Sequence, residues 1–484
     1  MDDGEKHDKL HIVMLPWLAH GHIAPFLEFS KRLAERGHHI SFVSTPRNIE
    51  RLPKVPQHLA PKIDLVKLSF PPGRDIEGLP MGAESMSEIS SSKLPHLIRA
   101  YEGLQEPMVE FLEAYPPDWI IYDPFAYFLP PILAATSKKL GRSILQATFI
   151  VVSANSTCFL EPPTSKNTIN GLNHIHIEPR DIAGYLIPPK WIPFPNKLAY
   201  RPFEILRVID QLSGCDDQVG AELGEALLSS IKASDVILLQ SCMELEGDYL
   251  NLLEEMHGKP VLATGFLTPS LQEMASRDDH DHKGWQVIKE WLDQHDKASV
   301  VYIALGSEAT LSQQLLDELA LGIEQSDLPF FWALRKPKGD EESLELPDGF
   351  EDRTRERGLV WKGWAPQLMI LDHDSVGGFL VHCGWNSTIE GLQFGLPLIM
   401  LPLYGEQGIT ARFLVDKGVG IEIPRDEQDG TFTRNSVAES LKLVVVEEAG
   451  KVYRDNAKKM QIVLGERSLH SQYIDKLEEF ICNR

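Results

Sequence analysis

The sequence predicts an α/β protein made of two doubly wound domains that face each other across a cleft. Three observations carry this reading. The chain has 484 residues, and at about 100–200 residues per domain two large domains are the simplest division. Short, almost unbroken apolar runs alternate with amphipathic stretches, as parallel strands covered by helices on both faces require. That alternation stops once, at a charged stretch, and then starts again.

In the first half, His11 to Pro16 reads as a buried strand and Ile23 to Arg36 as a helix stopped by Gly37. His39 to Ser44, Trp119 to Tyr122, Ser143 to Thr148 and Val236 to Gln240 read as further strands. A helix from Phe128 to Leu140 ends at Gly141. The run from Arg277 to Lys283 reads as a solvated loop. It gives a first domain over 1–260, a linker over 261–285 and a second domain over 286–455. There the strands are Ser299 to Leu305, Phe330 to Leu334, Leu359 to Trp361, Val376 to Val381 and Leu398 to Leu401. Helices run from Gln313 to Gln325 and from Thr388 to Phe394. Such units build Rossmann-like sheets, which hold ligands beyond the carboxyl ends of their strands. A ligand is therefore expected between the domains.

Lys and Arg number 47 and Asp and Glu 70, for a formal net charge of −23. A surface this acidic repels nucleic acids and anionic membranes. An anionic ligand would need a local device to hold it. The five cysteines are widely spaced and form no CxxC pair, so neither a zinc site nor a disulfide framework is indicated. The first ten residues are polar and charged, and the apolar stretch after them is interrupted by Pro16, His20 and His22. Neither a signal peptide nor a membrane span is expected, and the chain reads as cytoplasmic.

One local device lies at the end of the strand Val376 to Val381. His382 is followed by the tight turn Cys383-Gly384-Trp385, and Asn386 or Ser387 then caps a helix. A helix N-terminus binds phosphate without a lysine, and Gly384 leaves room for the approach. The other reading is purely structural: Ser387-Thr-Ile-Glu390 fits a capping box. In the first domain, Leu15-Pro-Trp-Leu-Ala-His20-Gly-His22-Ile-Ala-Pro25 reads as strand end, glycine turn and helix start, with Pro25 in the first turn. The helix dipole there keeps a histidine neutral and able to accept a proton. A base of this kind needs an orienting carboxylate. Asp123 follows the strand Trp119 to Tyr122 at the same sheet edge, where it could equally be a helix N-cap. His20 and His22 lack an evident third ligand, so no metal is expected. No dinucleotide glycine fingerprint, Walker motif, HExxH or GxSxG occurs.

Residues 364–407 resemble the signature box of plant family-1 UDP-dependent glycosyltransferases over all of its 44 positions. The matches include Trp364-Ala-Pro-Gln367, His373, Val376-Gly377, His382-Cys-Gly-Trp-Asn-Ser387, Glu390, Gly395, Pro397, Pro402 and Gln407. The resemblance extends over nearly the whole chain. It implies the GT-B fold, a UDP-sugar co-substrate, no metal, and a monomer whose last helix, about 456–484, crosses back to the first domain. It further implies that Trp364 stacks on uracil, that the Ala365 backbone bonds the base, and that Gln367 and Glu390 bind the ribose hydroxyls. His382, Asn386 and Ser387 would hold the pyrophosphate, with Ser307 of the Gly306-Ser307 turn donating to the β-phosphate or serving only as a turn. Trp385, Glu406, Gln407 and Thr148 would contact the sugar. Gly21-His22-Ile-Ala-Pro25 matches the family's catalytic motif, which makes His22 the base and Asp123 its partner.

Two positions depart from the family pattern. Glu406 stands where Asp is usual, and Thr410 where Asn is usual. Gln407 points to glucose, while Glu406 keeps rhamnose and xylose open. Segments Phe413 to Gly418, Val445 to Glu448 and His470 to Asp475 resemble the subgroup that adds a sugar to the sugar of a terpenoid, steroid or flavonoid glycoside, with O-glucosylation of the aglycone as the alternative. The acceptor is expected near His20, Phe125, Phe149, Trp191, Phe194, Tyr200 and Phe203. Two other classes are weighed. The apolar segment 185–203 argues against an epimerase with no acceptor, and the His22/Asp123 pair argues against an inactive binding protein.

Overall fold

The computed structural model describes residues 9–71, 78–161, 182–213, 217–269, 279–306, 311–334 and 345–484. Its first sheet has seven strands: β1 (His11–Leu15), β2 (His39–Ser44), β3 (Ile63–Lys67), β4 (Trp119–Tyr122), β5 (Leu145–Ile150), β6 (Val236–Leu239) and β7 (Val261–Ala263). Its second has six: β8 (Val300–Ala304), β9 (Phe330–Ala333), β10 (Gly358–Trp361), β11 (Val376–Val381), β12 (Leu398–Met400) and β13 (Gly420–Glu422). The orders are β3-β2-β1-β4-β5-β6-β7 and β10-β9-β8-β11-β12-β13. Pairings throughout are parallel. This is the doubly wound order twice over, and in each sheet the chain switches sides between the first and fourth strands.

Burial follows from that order. The central strands β4, β6, β8 and β11 are buried at every residue, because helices cover both faces. The edge strand β3 has only Ile63 buried, and no strand is expected there from sequence. The strand expected over Ser143 to Thr148 is shifted to Leu145–Ile150, so Thr148 lies inside it. The stretch expected as a linker begins with β7 and ends within the helix Asp279–Leu292, so the charged run expected as a solvated loop is helical from Asp279 on; residues 270–278 lie outside the described residues.

Six helices position the site: α1 (His20–Glu35), α2 (Pro202–Ser213), α3 (Trp385–Gln393), α4 (Gln407–Asp416), α5 (Lys451–Leu464) and α6 (Arg467–Cys482). The single final helix expected from sequence is two helices, parted near Gly465. The second returns to the first sheet, where Ile474, Leu477 and Ile481 join the core of Ile12, Phe26 and Trp119, and the Trp119 indole donates to the Ile481 carbonyl at 3.1 Å. The domains share apolar contacts: Tyr249 meets Phe413 edge-on at 5.8 Å.

Candidate active site

Both switch points carry residues singled out by sequence. In the first sheet, α1 follows β1 and Asp123 follows β4. His22 is the third residue of α1, and its N–H donates to the Ala19 carbonyl at 3.0 Å. Asp123 is 1% exposed. One of its carboxylate oxygens lies 2.6 Å from His22 Nδ1. The other accepts from the Phe125 N–H at 3.1 Å and caps the short turn Pro124–Ala126. The two readings open for Asp123 thus hold together, one on each oxygen. A carboxylate on Nδ1 keeps that nitrogen protonated and makes Nε2 the proton acceptor. Phe125 stacks on Trp17 at 4.5 Å and meets the His22 ring edge-on at 6.3 Å. Trp17 was not anticipated, although it stands five residues before His22, in the same strand-end loop. His20 opens α1 and is exposed.

In the second sheet, Gly306 follows β8 with φ +85, and His382 follows β11. Ser307 lies outside the described residues. A Cβ at Gly306 would come within 2.7 Å of His382 Nε2, and one at Gly384 within 2.5 Å. Glycine is therefore required on both sides of this ring. Burial pushes the His382 imidazole down to about 4, which keeps it neutral near pH 7.

The N-cap of α3 is Gly384, and no side chain caps the helix. This corrects the expectation for Asn386 and Ser387, which occupy the second and third helical positions. The capping box does not form either. Glu390 instead accepts from Gln367 Nε2 at 2.6 Å, and Ser387 Oγ accepts from the same amide at 3.1 Å. The first N–H groups of α3 therefore have no side-chain cap, at the positive end of the helix dipole. Around them, among the described residues, three buried polar atoms lack a hydrogen-bond partner: His382 Nδ1, Asn386 Oδ1 and Thr388 Oγ1. Such atoms are rare unless something else completes them. The Tyr302 hydroxyl steadies Gln367 Oε1 at 3.1 Å, and burial pushes the Glu390 carboxyl up to about 7. Nearby, Trp364 is 44% exposed and Ala365 is buried.

A direct bond joins the two switch points. Asn386 Nδ2 donates to the Gly21 carbonyl at 2.7 Å. Four residues after Gly21 stands Pro25, inside α1, and proline has no N–H to give that carbonyl. The helix starts earlier than expected, so Pro25 lies beyond its first turn. The Trp385 ring is 3% exposed; its N–H donates to the Gln240 carbonyl at 2.8 Å, and Phe266 packs edge-on against it. That ring is a domain contact, which corrects the expectation of a sugar contact through its side chain. Glu406 immediately precedes α4. Burial raises its pKa, and the pull of His22 opposes that rise. Gln407 is buried, and its Oε1 accepts from the Leu403 and Tyr404 N–H groups at 2.9 and 3.2 Å. Thr410 meets Ser153 and Ser156 at 3.4 and 3.3 Å.

Other expected positions lie elsewhere. The Thr148 hydroxyl is buried and paired with Ser234 at 3.1 Å, because β5 continues past it. Phe149 is fully buried between Phe26 and Phe29. The Trp191 indole donates to the Cys158 carbonyl at 2.8 Å. Phe194 packs edge-on against Tyr249, and Tyr200 and Phe203 are each 3% exposed. These aromatics fill the core or the domain contact. Of the expected acceptor residues, Phe125 meets the His22 ring and His20 stands exposed at the start of the same helix.

A family described as UDP-glucoronosyl and UDP-glucosyl transferase matches residues 273–471. UDP-glycosyltransferase 91A1 of Arabidopsis thaliana is 42% identical over 98% of this chain and 97% of its own. The chain belongs to the plant family-1 UDP-glycosyltransferases. Soyasaponin III rhamnosyltransferase of Glycine max is 43% identical over 98% of this chain and 95% of its own. The solved structure of Glycyrrhiza uralensis UGT73P12 with glycyrrhetinic acid 3-O-monoglucuronide shares the fold, at 22% identity and TM-score 0.74 over 98% of this chain and 96% of that one. The protein is thus a GT-B glycosyltransferase with a UDP-sugar donor. Among the described residues no group of three His, Cys, Asp or Glu side chains could hold a metal ion, and no helix is long and apolar enough to cross a membrane.

Proposed function

We propose that this glycosyltransferase adds glucose, with inversion, to a sugar hydroxyl of a terpenoid, steroid or flavonoid glycoside. The observation that carries the reaction is the His22–Asp123 pair at 2.6 Å, its carboxylate buried and its imidazole partly exposed, tied through Gly21 to the start of α3. His22 Nε2 takes the proton of the acceptor hydroxyl, and Asp123 stabilises the imidazolium. The acceptor oxygen attacks the anomeric carbon from the face opposite the β-phosphate. The bond from that carbon to the phosphate oxygen breaks, and UDP leaves with the electron pair. The N–H groups of α3 and neutral His382 hold the pyrophosphate. Trp364 stacks on uracil, and Gln367 with Glu390 binds the ribose diol. Glu406 and Gln407 reach the sugar. The acceptor lies against Phe125 and His20.

A second reading, rhamnose or xylose as donor sugar, is favoured by Glu406 in place of the usual Asp and by the relative named for rhamnosyl transfer to soyasaponin III. One assay tests both readings: UDP release from UDP-glucose, UDP-rhamnose and UDP-xylose, with and without a panel of monoglycosides and their aglycones. The expected result is acceptor-dependent release, fastest with UDP-glucose and a monoglycoside, and a product one hexose heavier. Faster turnover of UDP-rhamnose or UDP-xylose overturns the glucose assignment. Preference for aglycones overturns the branching assignment.

A further inference from the structure

The loop from Pro402 to Glu406 and the start of α4, with Gln407 and Gly408, are held at three points by Tyr200 to Glu204 at the entry of α2, from the other domain. Tyr200, just before α2, donates its hydroxyl to the Gly405 carbonyl at 3.1 Å. Glu204 takes Arg412 of α4 bidentately at 2.8 and 2.7 Å, and Arg412 in turn donates to the Gly408 carbonyl at 2.5 Å. Phe203 packs under Arg425, 4.7 Å from the ring centroid, and Arg425 donates to the Pro402 carbonyl. The start and turn of the loop and the first turn of α4 are thus each tied to the entry of α2, directly or through one arginine.

Local sequence explains why α2 can do this. Pro202 opens the helix, and Glu204, two residues on, reaches back to the Arg201 N–H at 2.8 Å, so the carboxylate is fixed before it meets Arg412. Glu204 also lies against the α4 backbone, since a Cβ at Gly408 would come within 2.7 Å of its carboxylate. Both partners are nearly buried, at 8% and 11% side-chain exposure, where a bidentate pair is geometrically demanding. The loop turns at Gly405, whose φ of +58 suits glycine. Burial and, secondarily, the charge of Glu406 keep the Tyr200 phenol from ionising.

We propose that Tyr200, Phe203 and Glu204 of the acceptor-side domain are positioning residues that set where Glu406 and Gln407 meet the donor sugar, so that sugar selectivity is shared between the two domains. This inference rests on the reading that Glu406 and Gln407 reach the sugar. Its test compares UDP affinity with kcat and KM for UDP-glucose, UDP-rhamnose and UDP-xylose in Tyr200→Phe, Glu204→Gln and Glu406→Ala. Tyr200→Phe removes one hydrogen bond and keeps the ring. It should raise KM for the preferred UDP-sugar roughly two- to tenfold and narrow the preference among sugars, with UDP affinity within about twofold of the parent. Glu204→Gln leaves Arg412 with only the longer Glu422 contact, at 3.4 Å, and should do more of the same; if it does not fold, Tyr200→Phe decides alone. Parallel losses for UDP and UDP-sugar, or no change in either, overturn the inference. If Glu406→Ala shifts sugar preference and Tyr200→Phe does not, the inference falls and the sugar-site reading stands. If Glu406→Ala leaves sugar kinetics untouched, that reading falls and takes the inference with it.

Discussion

The two switch points occupy equivalent places in two sheets of the same order, yet they are finished differently. In the first, the protein completes its own hydrogen bonds: both Asp123 oxygens are engaged, one by His22 and one by the Phe125 N–H. In the second, among the described residues, His382 Nδ1, Asn386 Oδ1 and Thr388 Oγ1 lack partners; the want of a side-chain cap is common to α1 and α3. A completed pair fixes a tautomer and so suits proton transfer. An incomplete one suits binding, because a ligand supplies what the fold omits. The same topology thus yields a chemical half and a holding half.

That contrast breaks if the two halves do not separate by mutation. The largest effect is expected for His22→Ala, which should lower turnover by roughly 10²–10⁴-fold while UDP affinity, read by calorimetry, stays near the parent value. His20→Ala should raise acceptor KM severalfold and leave kcat near normal; loss of kcat there, with kcat retained in His22→Ala, would move the base to His20. Asp123→Asn comes next, at roughly 10²-fold in kcat, because an amide cannot stabilise the imidazolium. Its carbonyl oxygen can still accept from the Phe125 N–H, so the melting temperature should barely move. A large loss of stability with near-normal turnover would instead make the cap its main role. Glu406→Ala should cost roughly tenfold to a hundredfold in transfer, by the loss of charge-assisted bonds to sugar hydroxyls, with little change in UDP affinity.

The smallest effect sharpens the holding half. With Glu390 near 7 in the folded protein, its acceptor carboxylate form grows as pH rises through neutrality. Affinity for uridine, which has no phosphate to titrate, should rise roughly three- to tenfold between about pH 6 and 8, and Glu390→Gln should flatten the profile. Stability has the opposite slope. The folded pKa is raised, so this carboxyl contributes stability at low pH that is lost as pH rises from the unfolded value through about 7. A profile unchanged by Glu390→Gln would remove the ribose role.

Much of this was legible in the sequence, for identifiable reasons. Buried strands such as Trp119–Tyr122 and Val376–Val381 are apolar or glycine throughout, so position marks the residues that follow them, Asp123 and His382, and the family resemblance gave those residues their roles. Edge strand β3 escaped because only one of its five residues is buried. Shifting one strand end by two residues misplaced Thr148. The aromatics from Trp191 to Phe203 were the larger miss. Composition shows that a segment is apolar, but not whether it lines a cleft or fills a seam between domains. Trp385 failed for the same reason, since its motif says nothing of the Gln240 carbonyl that takes its indole.

Pro25 has a mechanical consequence. By giving no N–H to the Gly21 carbonyl, it transfers one rung of the α1 ladder to Asn386 of the other domain. When the domains part, that carbonyl has no ladder donor to fall back on and must be hydrated. The helix bearing His22 therefore experiences separation as a change at its own first turn, one residue from the base. An isotope-edited infrared band for the Gly21 carbonyl should report that hydration. In Pro25→Ala, where α1 can close its own rung, the band should lose its sensitivity to domain separation.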